Sequence, residues 1–193
     1  MKIATTIIVF LSAVLISWGQ DKFTDKRDGN IYKTITIQGS TWMAENLRYK
    51  PKEGAYYFDD NSVNLQKYGM LYEWKTAVKI CPDGWRLPTG TEFQTLVNHN
   101  EQQGSWKKKS SDPNSFGIEL GGMQDYEGTY TELEEGAYFW TSTEYDREHA
   151  EYFSYLIVVD TPVVDVSRSE DIADIHGTEK VSKYSVRCVK SKK

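Results

Sequence analysis

Alternation of apolar and polar positions marks the first patterned stretch. Ile31, Ile35 and Ile37 fall on one side of an extended segment and Thr34 and Thr36 on the other, with Lys33 the one defect. Gln38-Gly39-Ser40 is turn-like and Thr41-Trp42-Met43 resumes extended chain, so this region reads as a β-hairpin. From Leu71 the period lengthens. Leu71, Trp74, Val78 and Cys81 are spaced by three, four and three, which predicts a helix ended by Pro82-Asp83-Gly84. Trp85-Arg86-Leu87-Pro88 is a short extended link. Thr89 and Glu92 then form a capping-box pair, and Phe93, Leu96 and Val97 supply the apolar face of a second helix. Further strands are predicted over 137–141, 152–160 and 162–167. A last one covers 181–189, where Tyr184, Val186 and Cys188 share a face. The intervening polar segments read as a leader and turn (21–30), irregular chain (50–67), a long glycine-containing loop (100–136) and a charged loop (168–180). No repeat of solenoid period is present.

The first twenty residues have a different character. Lys2 is their only charge, Ile3 to Ile16 is mostly apolar, and Ser17 and Gly19 place small residues before a cut after Gly19. That is the layout of a secretory signal. The apolar stretch is short for a bilayer span, and no cysteine near the cut offers a lipid-anchor site. Cleavage after Gly19 leaves 174 of the 193 residues and moves the formal net charge from −5 to −6.

Composition narrows the function classes. With 23 Lys+Arg against 28 Asp+Glu, a basic nucleic-acid-binding face is not expected. A 39% hydrophobic content is too high for a disordered chain. Two cysteines are too few for a disulfide-rich miniprotein or an all-cysteine zinc site. In an exported protein, Cys81 and Cys188 read most simply as one disulfide, the alternative being a reactive thiol pair outside any C-x-x-C arrangement.

Three stretches carry a family resemblance: Gly39-Ser40-Thr41-Trp42-Met43-Ala44-Glu45-Asn46-Leu47, Cys81-Pro82-Asp83-Gly84-Trp85-Arg86-Leu87-Pro88-Thr89, and Tyr184-Ser185-Val186-Arg187-Cys188-Val189-Lys190. With Tyr68-Gly69, Gly121-Gly122 and Phe139 to Glu144 in order between them, the chain resembles the Fibrobacter succinogenes major paralogous domain family of exported bacterial modules over about residues 29–190. That family is similar in pattern to the C-type lectin-like fold and to formylglycine-generating sulfatase-modifying enzymes. The resemblance implies an α+β, C-type lectin-like unit: two helices packed on a small twisted antiparallel sheet with long loops. It also implies paired N- and C-terminal strands and a Cys81–Cys188 bond. The implied plan is a signal peptide at 1–19, an exposed leader at 20–28, one domain at 29–190 and a tail at 191–193. Irregular glycine spacing in 104–120 and the charged segment before the last strand depart from the family pattern, so ligand specificity does not carry over.

Candidate chemistry is sparse. His99, His149 and His176 lack metal-pair spacing, and no nucleophile elbow, phosphate-cradling loop or EF-hand pattern is present. The enzymes of similar pattern need a reactive cysteine pair near the C-terminus, where Cys188 stands alone. Acidic loop residues such as Asp59, Asp60, Asp125 and Glu132 suit solvation first and calcium or paired-carboxylate catalysis second. Trp42, Trp74, Trp85 and Trp140 lie in patterned stretches and are expected in the core. Trp106, beside Lys107-Lys108-Lys109, and the loop residues Tyr126 and Tyr130 are the expected ligand contacts. The expectation is a secreted, periplasmic or cell-surface module without catalytic residues, metal or cofactor. It would bind an extracellular glycan or protein through variable loops, with no nucleic-acid partner and no membrane insertion after cleavage. A divergent enzyme on the same scaffold and a structural component of a surface assembly are the alternatives.

Overall fold

The computed structural model describes residues 21–103, 116–159 and 169–191. In chain order the first strands are β1 (Lys22–Thr24), β2 (Ile31–Ile37), β3 (Ser40–Met43), β4 (Ala55–Tyr56), β5 (Leu71–Glu73) and β6 (Trp85–Arg86). There follow β7 (Gly121–Gln124), β8 (Tyr130–Leu133), β9 (Gly136–Glu144), β10 (His149–Val159), β11 (Ser169–Glu179), β12 (Lys183–Ser185) and β13 (Val189–Lys190). The helices are α1 (Leu65–Tyr68), α2 (Trp74–Ile80) and α3 (Gly90–Gln103), with short 3-10 turns before α1.

The strands form two sheets. One has five strands in the order β1-β2-β3-β13-β6. The other runs β11-β10-β9-β7-β12-β5-β4, with β8 paired to β7 as its eighth strand. The molecule is mostly β, and one of the two sheets is a half-barrel. This overturns the expected lectin-like arrangement of two helices on a small sheet. The reason lies in the segments read as loops. Residues 100–136 hold the β7–β8 hairpin, and the charged segment 168–180 is β11, paired with β10 along eleven positions. β11 is an edge strand, and β7 is rich in glycine. Neither composition advertises a strand, because edge strands carry charge and glycine packs little.

Other expectations hold. The β2–β3 hairpin closes on Ile37↔Ser40 through Gln38 and Gly39, both at positive φ (49° and 75°). That is a two-residue turn whose twist matches the strands, and Gly39 suits it because it has no Cβ. The terminal strand β13 pairs with β3, joining the C-terminus to the N-terminal hairpin. The predicted last strand is split: β12 enters the large sheet, β13 the small one, and Val186–Cys188 crosses between them. The segment read as a leader supplies β1. The predicted first helix exists but starts at Trp74. Leu71 lies in β5, and Val78 is exposed while Thr76, Ala77 and Ile80 are buried. The predicted strand 162–167 lies outside the described residues.

α3 is fixed at its start by the capping box. Glu92 N donates to Thr89 Oγ1 at 3.2 Å and Thr89 N donates to Glu92 Oε2 at 3.0 Å. Its apolar face fills the space between the sheets. Phe93 stacks on Phe153 of β10 (4.8 Å between ring centroids) and meets Trp42 of β3 at 5.3 Å. Because side chains alternate along a strand, β9 feeds both clusters of core residues. Ala137 and Phe139 join α3, while Tyr138 and Trp140 join Tyr72, Tyr184 and Val186 on the other side.

Candidate ligand groove

The motif residues build a seam. Cys81 at the end of α2 is bonded to Cys188, closing a sequence separation of 107 residues. Arg187, beside it, is fully buried. Its Nε donates to Asn46 Oδ1 (2.9 Å), Nη2 to the Gly117 carbonyl (2.5 Å) and Nη1 to the Phe116 carbonyl. Its guanidinium also lies 4.5 Å from the Phe116 ring centroid. Burial pulls its pKa down to about 9, which leaves it charged at neutral pH. Asn46 in turn donates to the Tyr68 carbonyl at 2.8 Å. The next residue must be small: a Cβ on Gly69, at φ 78°, would lie 2.7 Å from Asn46 Cβ. Arg86 forks onto Glu92 at 2.5 and 2.7 Å and so clamps the α3 cap. Arg86 holds the Glu92 carboxyl below its ordinary range, and the Thr89 N–H adds to this; partial burial opposes both. Every polar group of these residues that matters is spent on the protein itself.

The open surface lies on one face of the five-stranded sheet. Its other face, with Ile35, Ile37, Trp42 and Val189, packs toward α3. On this side Tyr32 and Met43 enter the core. Thr34, Thr36 and Thr41 instead line a groove of about 450 Å³. Thr36 and Thr41 face each other across the hairpin with hydroxyls 3.0 Å apart. The sheet curls. In a flat sheet the edge strands would stand roughly 19 Å apart at about 4.8 Å per strand. Yet Phe23 of β1 and Trp85 of β6 meet with ring centroids at 5.0 Å. This contact closes one end of the groove with an aromatic wall. Asp21, Lys22, Asp83 and Lys190 form the rim. Their formal charges sum to zero. Among the described residues none of these four side chains makes an ion pair or hydrogen bond. The groove therefore presents a pair of mutually bonded threonine hydroxyls and, beside aromatic carbon, ammonium groups and carboxylates that have no partner among the described residues.

The residues expected to touch ligand are elsewhere. Trp106 lies outside the described residues. Tyr126 stands exposed in the β7–β8 turn. Tyr130 is in β8, its ring 5.2 Å from Phe58 and its hydroxyl donating to Asp60 at 3.3 Å. The two tyrosines are not drawn into one site with the groove. Each histidine is matched to a near neighbour: His99 with Gln38, His149 with Asp146, His176 with Asp174. Among the described residues no group of three His, Cys, Asp or Glu side chains is placed to hold a metal, and no helix is long and apolar enough to cross a membrane. Sequence reading missed the groove. The Thr34/Thr36 alternation was its one local signal, and its remaining walls come from positions as distant as Lys22 and Lys190.

The seam places the motifs of all three stretches in one structure, and the model of the Fibrobacter succinogenes major domain matches residues 35–190. The chain belongs to the Fibrobacter succinogenes major domain family. No curated protein and no solved structure matches it. Within this major domain the family stretches supply the disulfide, the Arg187–Asn46 link and the Arg86–Glu92 clamp. They also supply part of the groove, in Thr41, Asp83, Gly84, Trp85 and Lys190. Of the rest of the groove, Asp21, Lys22, Phe23 and Thr34 lie before the matched region, and Thr36 lies inside it but outside the three stretches.

Proposed function

We propose that this major domain is an exported, non-catalytic binding module that holds a stretch of neutral glycan in the groove of its five-stranded sheet. One observation carries the reading. A threonine floor, an aromatic wall and a rim of four unpaired charges summing to zero stand together in one cleft. A sugar chain offers what such a cleft asks for: hydroxyls that donate and accept, C–H faces that pack on rings, and no net charge. The site lies on a sheet and not in variable loops, so its geometry is set before ligand arrives. The disulfide suits an oxidising compartment and occupies both cysteines, which speaks against the thiol-dependent enzyme alternative.

The test is titration of mature protein with neutral oligosaccharides of several linkages, by array and then calorimetry. Binding is expected, with Thr36→Ala/Thr41→Ala weakening it about tenfold, or about 1.4 kcal/mol, while the melting temperature holds. Absence of binding across the panel, or full affinity in the double variant, overturns the proposal.

A further inference from the structure

A second cleft lies on the other side of β2, between the chain after β3 and α1. It encloses about 100 Å³ and is lined by Lys33, Glu45, Arg48, Gln66, Lys67 and Glu119, with Asn46. Arg48 is the notable wall. It is buried to 9% exposure, with its guanidinium 4.5 Å from the Tyr32 ring centroid. A guanidinium has five N–H donors. Arg48 spends one on the Ile31 carbonyl, at 2.7 Å. Its Nη1 meets Glu45 only at ion-pair range, 3.6 Å, while Glu45 itself accepts from the Lys33 backbone at 2.6 Å. Its Nε is buried without a partner. Buried donors in folded proteins are almost always paired, so this under-used fork points to a missing acceptor. The Lys33 ammonium also has no ion-pair partner among the described residues. Lys67 is already engaged with Tyr68 and Glu134.

Charge counting bounds the acceptor. Lys67 is already balanced by Glu134, so Lys33 and Arg48 face Glu45 and Glu119 and the cleft has no surplus for a multiply charged anion. We infer that this cleft binds a carboxylate group, held between Arg48 and Lys33 with Glu119 limiting the affinity. Planar carboxylate geometry matches the guanidinium fork, whereas a phosphate or sulfate brings more charge than the cleft balances. An acidic sugar, a peptide C-terminus and a small free acid all supply this group. The site is independent of the groove proposed for glycan.

The probes are sodium acetate, D-glucuronate, and a short neutral peptide compared with its C-terminal amide. Each is titrated into mature ¹⁵N-labelled protein at constant ionic strength, and the Arg48 Nε–Hε resonance is followed. At least one carboxylate is expected to give a saturable shift, and whichever does so identifies the source; the peptide amide gives none. Lys33→Gln weakens the response at least fivefold and Glu119→Gln strengthens it severalfold. Thr36→Ala/Thr41→Ala leaves it unchanged, which separates failure here from failure of the glycan reading. The inference is overturned if no probe saturates, if chloride reproduces the shift, or if neither charge variant alters the affinity.

Discussion

Two regions of the molecule use polar groups in opposite ways. In the seam around Arg187, Asn46 and Cys188, buried polar groups find partners inside the protein. On the rim of the groove, four charged side chains find none among the described residues. The first arrangement stabilises and has nothing left for a ligand. The second contributes little to stability and keeps its hydrogen-bonding capacity free. The difference teaches where the family's sequence stretches act: chiefly on the scaffold, with the floor and rim of the groove finished by ordinary threonines, lysines and aspartates.

That contrast can be broken most severely at the disulfide. Cys81→Ser/Cys188→Ser opens a loop of 107 residues, and the chain-entropy model for a loop of that length predicts a loss of about 4–5 kcal/mol, read by urea denaturation. A loss below about 1 kcal/mol would mean the seam holds without its covalent link. Arg187→Met comes next. It strands the Phe116 and Gly117 carbonyls and Asn46 Oδ1 without their donor, and a cost of about 3 kcal/mol is expected in the same assay. Glu92→Gln is milder, about 1 kcal/mol, because it weakens the Arg86 fork and half of the capping box. Its effect has a pH signature. The Glu92 carboxyl is held below its unfolded value, so its contribution is complete above that value and fades as pH falls through the folded one. Wild type and variant should therefore begin to converge in stability near the ordinary glutamate value of about 4.3 and meet below the folded one, and a gap that persists in acid would assign the effect to shape and not to charge. The smallest effect belongs to the groove. Lys190→Ala should change stability by less than about 0.5 kcal/mol while lowering glycan affinity, and a variant that destabilised without touching affinity would erase the distinction between the two regions.

Legibility in the sequence follows the range of the interactions. The β2–β3 hairpin and the Thr89–Glu92 cap are local, and their residues announce them. Cys81–Cys188 is legible for a different reason, since two cysteines leave one pairing. What pattern could not show is pairing whose signal lies in the partner. β11 reads as a charged loop because it is stabilised by β10 along one edge, and β7 reads as a glycine-rich loop between better-marked strands. The helix predicted from Leu71 slipped for a related reason: Leu71 is buried by sheet pairing with β12, so its apolar side chain carries no helical period. The groove suffers most, as Lys22, Thr36, Asp83 and Lys190 become neighbours only when the sheet is complete. Tyr126 and Tyr130 read as loop aromatics in the sequence, but Tyr130 lies in β8 and packs on Phe58.

The positions of β12 and β13 carry a consequence for biosynthesis. Both come from the final turn of the chain's path, yet each sits inside a sheet, β13 between β3 and β6 and β12 between β7 and β5. Until those residues leave the ribosome, neither sheet is continuous and the halves of each have no common neighbour to bind. The two sheets are therefore joined only once the residues of β12 and β13 are in place. Deleting those few residues would remove an interior strand from each sheet, whereas an equally short deletion at an edge strand would leave the sheets joined.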